Sequence, residues 1–531
     1  MIKELPPELW LHILSYLPRG AVRNLIGVNR FLFELALDDI YGQVELSQDD
    51  KETFKTLEQL RQYQNIASRV KTFSAFSFFF LQEHIAMGYG EPAKATFCKR
   101  LLSRLRSNGV VKRIWRADSS ALQQIPSPPG NIIELALEAL ETMKRHSSNL
   151  RELLIMLPDT ALSTASYTLL DSLFEGCFAA PNCRSLVVDV PVTHLQTVFL
   201  RYSPYTSKKR RACFKEVDLQ IAGDESIWTE ESDWHKGSIG LIYFFKACSE
   251  TLTSLTISCA VQRDLGTFFK KMPHCPNLSD FILLAIFNIQ TFSEPHWITG
   301  FIAKHASTLK TLIIRPRPRI ETIYRSDSSY RQWLTQDDTL DRPEVYHLVS
   351  QLCLPKLQFL DIGLQEAPYP ASPRVFLMPN LSTLAPNLTD LAITEVKLNV
   401  YRLSRILDTM AIQDGENILE RLYYSCNELS RQTFDMLSRK LPRLKSLRIA
   451  YTDYEVPDSL GIPIIDELRR AAYFHEAMAR CSYKSWTVRY LQLLRPSACG
   501  RGHPCEEDML VVGACISPEV ALDSRRGCFC W

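Results

Sequence analysis

The chain has 531 residues, more than one compact core holds unless the fold grows by repetition. Apolar residues at 46% and charged residues at 23% are the balance of an ordinary folded protein. A net charge of +2 argues against a general nucleic-acid binder, and the most apolar run, residues 73–81, is far short of a membrane span.

The first predicted element lies in Leu5-Pro6-Pro7-Glu8-Leu9-Trp10-Leu11-His12-Ile13-Leu14-Ser15-Tyr16-Leu17-Pro18. Leu9, Ile13, Tyr16 and Leu17 recur at spacings of three and four, which places them on one helical face. Pro6 and Pro7 suit a first turn, where a missing N–H is no loss, and Pro18 ends the helix by forcing Leu17 out of the helical region. Arg19-Gly20 turns the chain into a second short helix over 21–27, and a third follows over 28–37. Three helices this short cannot bury all of Leu5, Leu9, Ile13, Leu14, Leu17, Val28, Phe31, Leu32 and Phe33 among themselves. The rest of the chain or a partner protein must cover some of them, so the segment reads either as a cap or as a docking module.

This segment, with Val28-Asn29-Arg30 and the aromatic stretch after it, resembles an F-box of the fungal type over residues 1–42. The family's Cys after the valine is Asn29 here. The resemblance implies docking to a Skp adaptor, and through it to a cullin–RING ubiquitin ligase. It implies that Leu5, Pro6, Leu9, Ile13, Leu14, Leu17, Pro18, Val28 and Leu32 supply that contact.

Residues 43–110 read as a helical connecting cap, with helices over 51–63 and 93–105 and a strand-like alternation over 70–76. A short strand of the form Leu-x-x-Leu-x-Ile then recurs. It is plain at Leu150, Leu252, Leu278, Leu309, Leu357, Leu388, Leu419 and Leu444, and weaker at Cys183 and Phe214. Most successive plain units begin 25 to 31 residues apart, which is repeat spacing, and helices are predicted between them over 239–250, 297–308, 346–354, 400–410 and 430–441. Strand and returning helix, repeated over 111–460, predict an α/β fold of stacked parallel strands. An ordinary α/β domain with Leu-rich strands is the alternative.

The pattern resembles an irregular leucine-rich repeat, a solenoid often joined to F-boxes. In such a unit the intervening strand residues face outward. Lys310, Gln358, Asp361, Asp390, Tyr423, Lys445 and Arg448 would therefore offer a polar, mixed-charge face to a protein substrate.

Three loops break the repeat: a basic one over 201–211, an acidic one over 223–237 carrying Trp228 and Trp234, and an insertion over 315–343. Residues 461–494 are expected to form a helical cap, and 495–531 a loose Cys-containing tail. In that tail Cys499, His503, Cys505, Cys515, Cys528 and Cys530 lack a C-x-x-C pair, so no metal is assigned. Of the fifteen cysteines most sit singly in apolar runs, as Cys248, Cys259 and Cys353 do, and are expected to be small reduced core residues. The chain has no recognisable export signal at its start and no phosphate loop, zincin or nucleophile-elbow motif, and His12, His274, His296 and His305 are scattered. The expectation is a non-catalytic substrate receptor without cofactor, cytoplasmic or nuclear. The alternative is a repeat scaffold that binds a protein without a ligase.

Overall fold

The computed structural model describes residues 5–17, 25, 27–46, 51–76, 79–80, 132–146, 149–199, 214–222, 231–261, 263–286, 291–294, 296–316, 352–362, 380–410, 412–413, 416–455, 467–496, 502–504, 506–516 and 520–522. They divide into two α/β units, one up to Leu255 and one from Thr256.

The first unit runs α1 Pro7–Ser15, α2 Arg30–Tyr41, β1 Gln43–Leu46, α3 Lys51–Gln62, α4 Gln64–Ala67, β2 Thr72–Ala75, α5 Ile132–His146, β3 Glu152–Met156, α6 Thr164–Ala179, β4 Ser185–Pro191, α7 Val192–Phe199, β5 Glu216–Ala222 and α8 Glu231–Cys248. β6 Ser254–Cys259 straddles the division. β1 to β5 pair in parallel and in sequence order. The register aligns apolar residues: Phe73 lies beside Leu153, Leu153 beside Leu186, and Leu186 beside Val217. Each strand from β2 to β5 is preceded by another buried apolar residue, namely Val70, Leu150, Cys183 and Phe214. That is the first position of the repeating pattern, so each of these four units puts three side chains into one core. The helices behind it pack closely. A side chain at Gly237 in α8 would stand 2.6 Å from Leu195 Cβ in α7, and the Phe199 and Phe244 rings lie 5.2 Å apart.

The second unit runs α9 Leu265–Lys271, β7 Asp280–Ala285, α10 His296–Lys304, β8 Thr311–Pro316, β9 Phe359–Ile362, α11 Leu381–Leu384, β10 Asp390–Lys397, α12 Val400–Asp408, the small hairpin β11 Ile412–Gln413 and β12 Glu416–Asn417, β13 Arg421–Leu429, α13 Arg431–Lys440, β14 Ser446–Tyr454, α14 Glu467–Ala479, β15 Tyr490–Pro496, β16 Gly502–Pro504, α15 Glu506–Ile516 and β17 Ala521–Leu522. β7, β8, β9, β10, β13, β14 and β15 form one parallel order. One row of side chains crosses it without a break: Phe281, Leu312, Leu360, Leu391, Leu422, Leu447 and Leu491, all at most 3% exposed. A period-two pattern requires this register, because a slip of one residue would turn every leucine outward. Asparagines before the strands tie some neighbours together: Asn149 Nδ2 donates to the Ser68 carbonyl and Asn387 Nδ2 to that of Pro355.

Several boundaries differ from the expected ones. The parallel sheet begins at Gln43 rather than after residue 110, because Val44 and Phe73 already join its buried row. The expected cap over 461–494 holds α14 but ends in strand β15, since Leu491 and Leu493 continue the apolar alternation. The expected loose tail contains packed structure: β16 and β17 pair with β15, and α15 buries Met509, Val512 and Ile516. Trp234, read as a loop residue, is buried within α8. Cys353 is exposed, unlike buried Cys248 and Cys259. The predicted helix over 93–105 and the loops over 201–211 and 317–343 lie outside the described residues.

Candidate protein-interaction site

Helix α1 begins at Pro7, with Pro6 extended before it, and the Pro6 carbonyl accepts from Leu9 and Trp10 N–H. The missing proline donors leave the first turn without unsatisfied N–H groups of their own. Leu9 (48% exposed) and Ile13 (42%) stand one turn apart on α1, and Leu5 (43%) and Leu17 (38%) flank its two ends at the same four-residue spacing in sequence. Together they leave an open apolar stretch on and beside α1, with Tyr16 and Val28 exposed as well. Pro6 is exposed and Leu14 is half-buried. Pro18 and most of the second predicted helix lie outside the described residues.

Helix α2 behaves differently. Asn29 caps it, its side-chain oxygen accepting from Leu32 N–H at 2.8 Å. Leu32 and Ala36 are fully buried in this chain. Leu32 was expected to touch an adaptor, and the structure corrects this: Leu32 and Ala36, four residues apart on one face of α2, pack inward against the chain itself. Arg69 bonds Glu34 and Asp38 and Lys71 bonds Asp38, which ties α2 to the segment before β2. Burial raises the Asp38 carboxyl, but hydrogen bonds from Lys71 and Arg69 outweigh it and hold the group below the usual carboxylate range. Exposed apolar residues that the helical spacing missed are Leu11 and Phe33.

The outward positions of the second unit fall into two groups. Asp361, Tyr423 and Arg448 lie on one row across the sheet, Ala392 standing between the first two. Asp361 was expected to face a substrate, yet it is fully buried and bonded by Arg315. Asp390 is likewise buried, accepting from Arg421 and from Thr389 Oγ1. Both carboxylates are spent on neighbouring strands, because a buried charge must be paired. Tyr423 is half-buried, with the Arg448 guanidinium 5.8 Å from its ring centre, and burial raises its phenol. Lys310 and Gln358 instead line an open hollow of about 520 Å³ at the start of the strands, with Lys356, Asn387, Thr389, Glu420 and Arg443. Lys445 is exposed and bonded to Glu420 at that same edge. The seven expected residues therefore divide: Lys310, Gln358 and Lys445 along an edge, Tyr423 and Arg448 on the sheet, and the two aspartates inside it.

The described cysteines offer little chemistry. Burial pushes the Cys275 and Cys426 thiols up to about 12, which keeps them protonated and unreactive. Cys515, expected in the tail cluster, is buried and donates to the Met478 carbonyl, while Cys499, Cys505, Cys528 and Cys530 lie outside the described residues. No group of metal-ligating side chains is found among the described residues, and no described helix is long and apolar enough to cross a membrane.

Comparison of the sequence with protein-family models and with curated proteins gives no match. Among solved structures, a crystal structure of a TLR13–ssRNA13 complex is similar at 11% identity and a TM-score of 0.17. The similarity covers 68% of this chain and spans about 60% of that one.

Proposed function

We propose that this protein is the substrate-recognition subunit of a Skp–cullin–F-box ubiquitin ligase. In this reading residues 1–42 are the F-box and the strand–helix repeats are a leucine-rich-repeat-like solenoid that holds a protein target. The observation that carries it is the exposure of Leu5, Leu9, Ile13 and Leu17 on and beside α1. Each is only about half covered by its own chain, so covering the remainder yields about 1 kcal/mol apiece before the cost of association. The chain would act by proximity, holding the target's lysines near the transfer machinery while other subunits do the chemistry. It would work in cytoplasm or nucleus, with no cofactor of its own.

The test is co-purification with the Skp adaptor. Leu5→Ala with Pro6→Ala, and separately Ile13→Asp, should abolish it while leaving the thermal melt of the repeats in place. Adaptor binding retained in both variants would reject the reading.

A second reading, a repeat scaffold whose first helices are only a cap, draws on buried Leu32 and Ala36. Removal of all 42 residues strips cover from the body under either reading. The discriminating deletion therefore stops before Asn29. A soluble, folded remainder that has lost the adaptor favours the ligase subunit, and a remainder that aggregates favours the cap.

A further inference from the structure

The residue just before each strand is held in a fixed place by the backbone. Arg151 N–H donates to the Lys71 carbonyl at 2.7 Å, Arg184 N–H to that of Arg151 at 2.8 Å, and Lys215 N–H to that of Arg184 at 2.7 Å. Four basic residues thus stack at neighbouring-strand spacing, about 4.8 Å apart. Lys71 is engaged by Asp38 at 3.0 Å. Arg151, Arg184 and Lys215 are exposed, and none has an ion-pair partner among the described residues. Like charges in adjacent strands repel, and an anion laid along the row would relieve that repulsion. The same position in the second unit is mixed: Ser279, Gln358 and Thr389 are neutral, Glu420 is acidic and pairs with Lys445, and the basic Lys310 and Arg489 stand apart, so no three basic residues follow one another there.

We infer that Arg151, Arg184 and Lys215 form a binding strip for an acidic segment of a protein partner. The strip spans two strand spacings, about 10 Å, which matches about three residues of extended peptide. The adjacent row carries Glu152 and Glu216, with Ser185 between them. A continuous phosphate backbone laid along the strip would meet those carboxylates, whereas a short peptide carrying a few of its own can avoid them. The strip lies apart from the exposed α1 residues in sequence and needs no adaptor to operate.

The experiment titrates the full chain into a fluorescently labelled Glu-rich peptide and follows anisotropy. Binding should saturate, and it should weaken as ionic strength rises from about 0.01 M to about 0.15 M and the screening length falls from about 30 Å to about 8 Å. Arg151→Glu with Arg184→Glu should lower affinity about tenfold or more, and Arg151→Gln with Arg184→Gln by an intermediate factor. The neutral pair decides the matter if the reversed pair fails to fold. Ile13→Asp should leave peptide binding unchanged, which separates this strip from the adaptor surface. No saturable binding at low ionic strength, equal affinity in the altered chains, or tighter binding of a single-stranded oligonucleotide of equal charge would each overturn the assignment.

Discussion

His305 is fixed by two backbone groups. Its Nε2 accepts from Cys275 N–H at 2.9 Å, and its Nδ1 donates to the Phe301 carbonyl at 2.7 Å. This assigns the neutral tautomer, since a proton on Nε2 would face another N–H. Burial, helped by His274 and Lys304, lowers the imidazole to about 4 from an ordinary 6.5, against a smaller opposing effect of the Phe301 carbonyl. The sign follows from proton linkage. Between these values the unfolded chain binds the proton and the folded chain does not, so stability present at pH 7 is lost as pH falls through that window, by on the order of 3 kcal/mol. Thermal melts at pH 7 and pH 5 should show the drop. His305→Leu should melt lower at pH 7 but lose less on acidification, and an undiminished drop in that variant would refute the linkage. Scattered histidines gave the sequence no hint of this role, because it depends on a hydrogen bond between residues 30 positions apart.

At the scale of the element, the strands were readable because their apolar residues repeat with period two inside a longer period of about 25 to 31 residues. Leu309, Leu357, Leu388, Leu419 and Leu444 all prove fully or almost fully buried, as the pattern requires. The outward residues were less readable, since alternation gives the direction of a side chain but not its partner. Asp361 and Asp390 sit at the outward positions of the pattern, yet both are buried and paired with Arg315 and Arg421 from neighbouring strands. The row of leucines makes an energetic claim that can be measured. Leu447 is fully buried between Leu422 and Leu491, so Leu447→Ala should cost about 2–5 kcal/mol in a denaturant melt. Leu468, 84% exposed on α14, should tolerate alanine with a change within about 0.5 kcal/mol. Equal effects would mean that the ladder does not form.

For the molecule as a whole, stacking places its weakest points at open sheet edges, where unpaired N–H and C=O groups invite another chain. The residues after 496 supply cover of that kind in the second unit. β16 pairs with the end of β15 and β17 with its start, and α15 lies against α14. The join is also polar. Asp508, fully buried on α15, accepts from Tyr454 at 2.9 Å, from His475 at 2.6 Å and from Tyr451. Nothing in the composition of this segment revealed that role. Its cysteines drew the eye, whereas the anchoring is done by one carboxylate whose partners lie 33 to 57 residues away. Ending the chain at Pro496 would remove the Asp508 carboxylate from the Tyr451 and Tyr454 hydroxyls, at about 1–3 kcal/mol each, and would bare the β15 ladder. The truncated protein should melt lower and self-associate with rising concentration in light scattering, whereas Asp508→Asn, which keeps the strands, should melt lower and stay monomeric. A truncated chain that remains monomeric with an unchanged melt would show that the edge needs no cover.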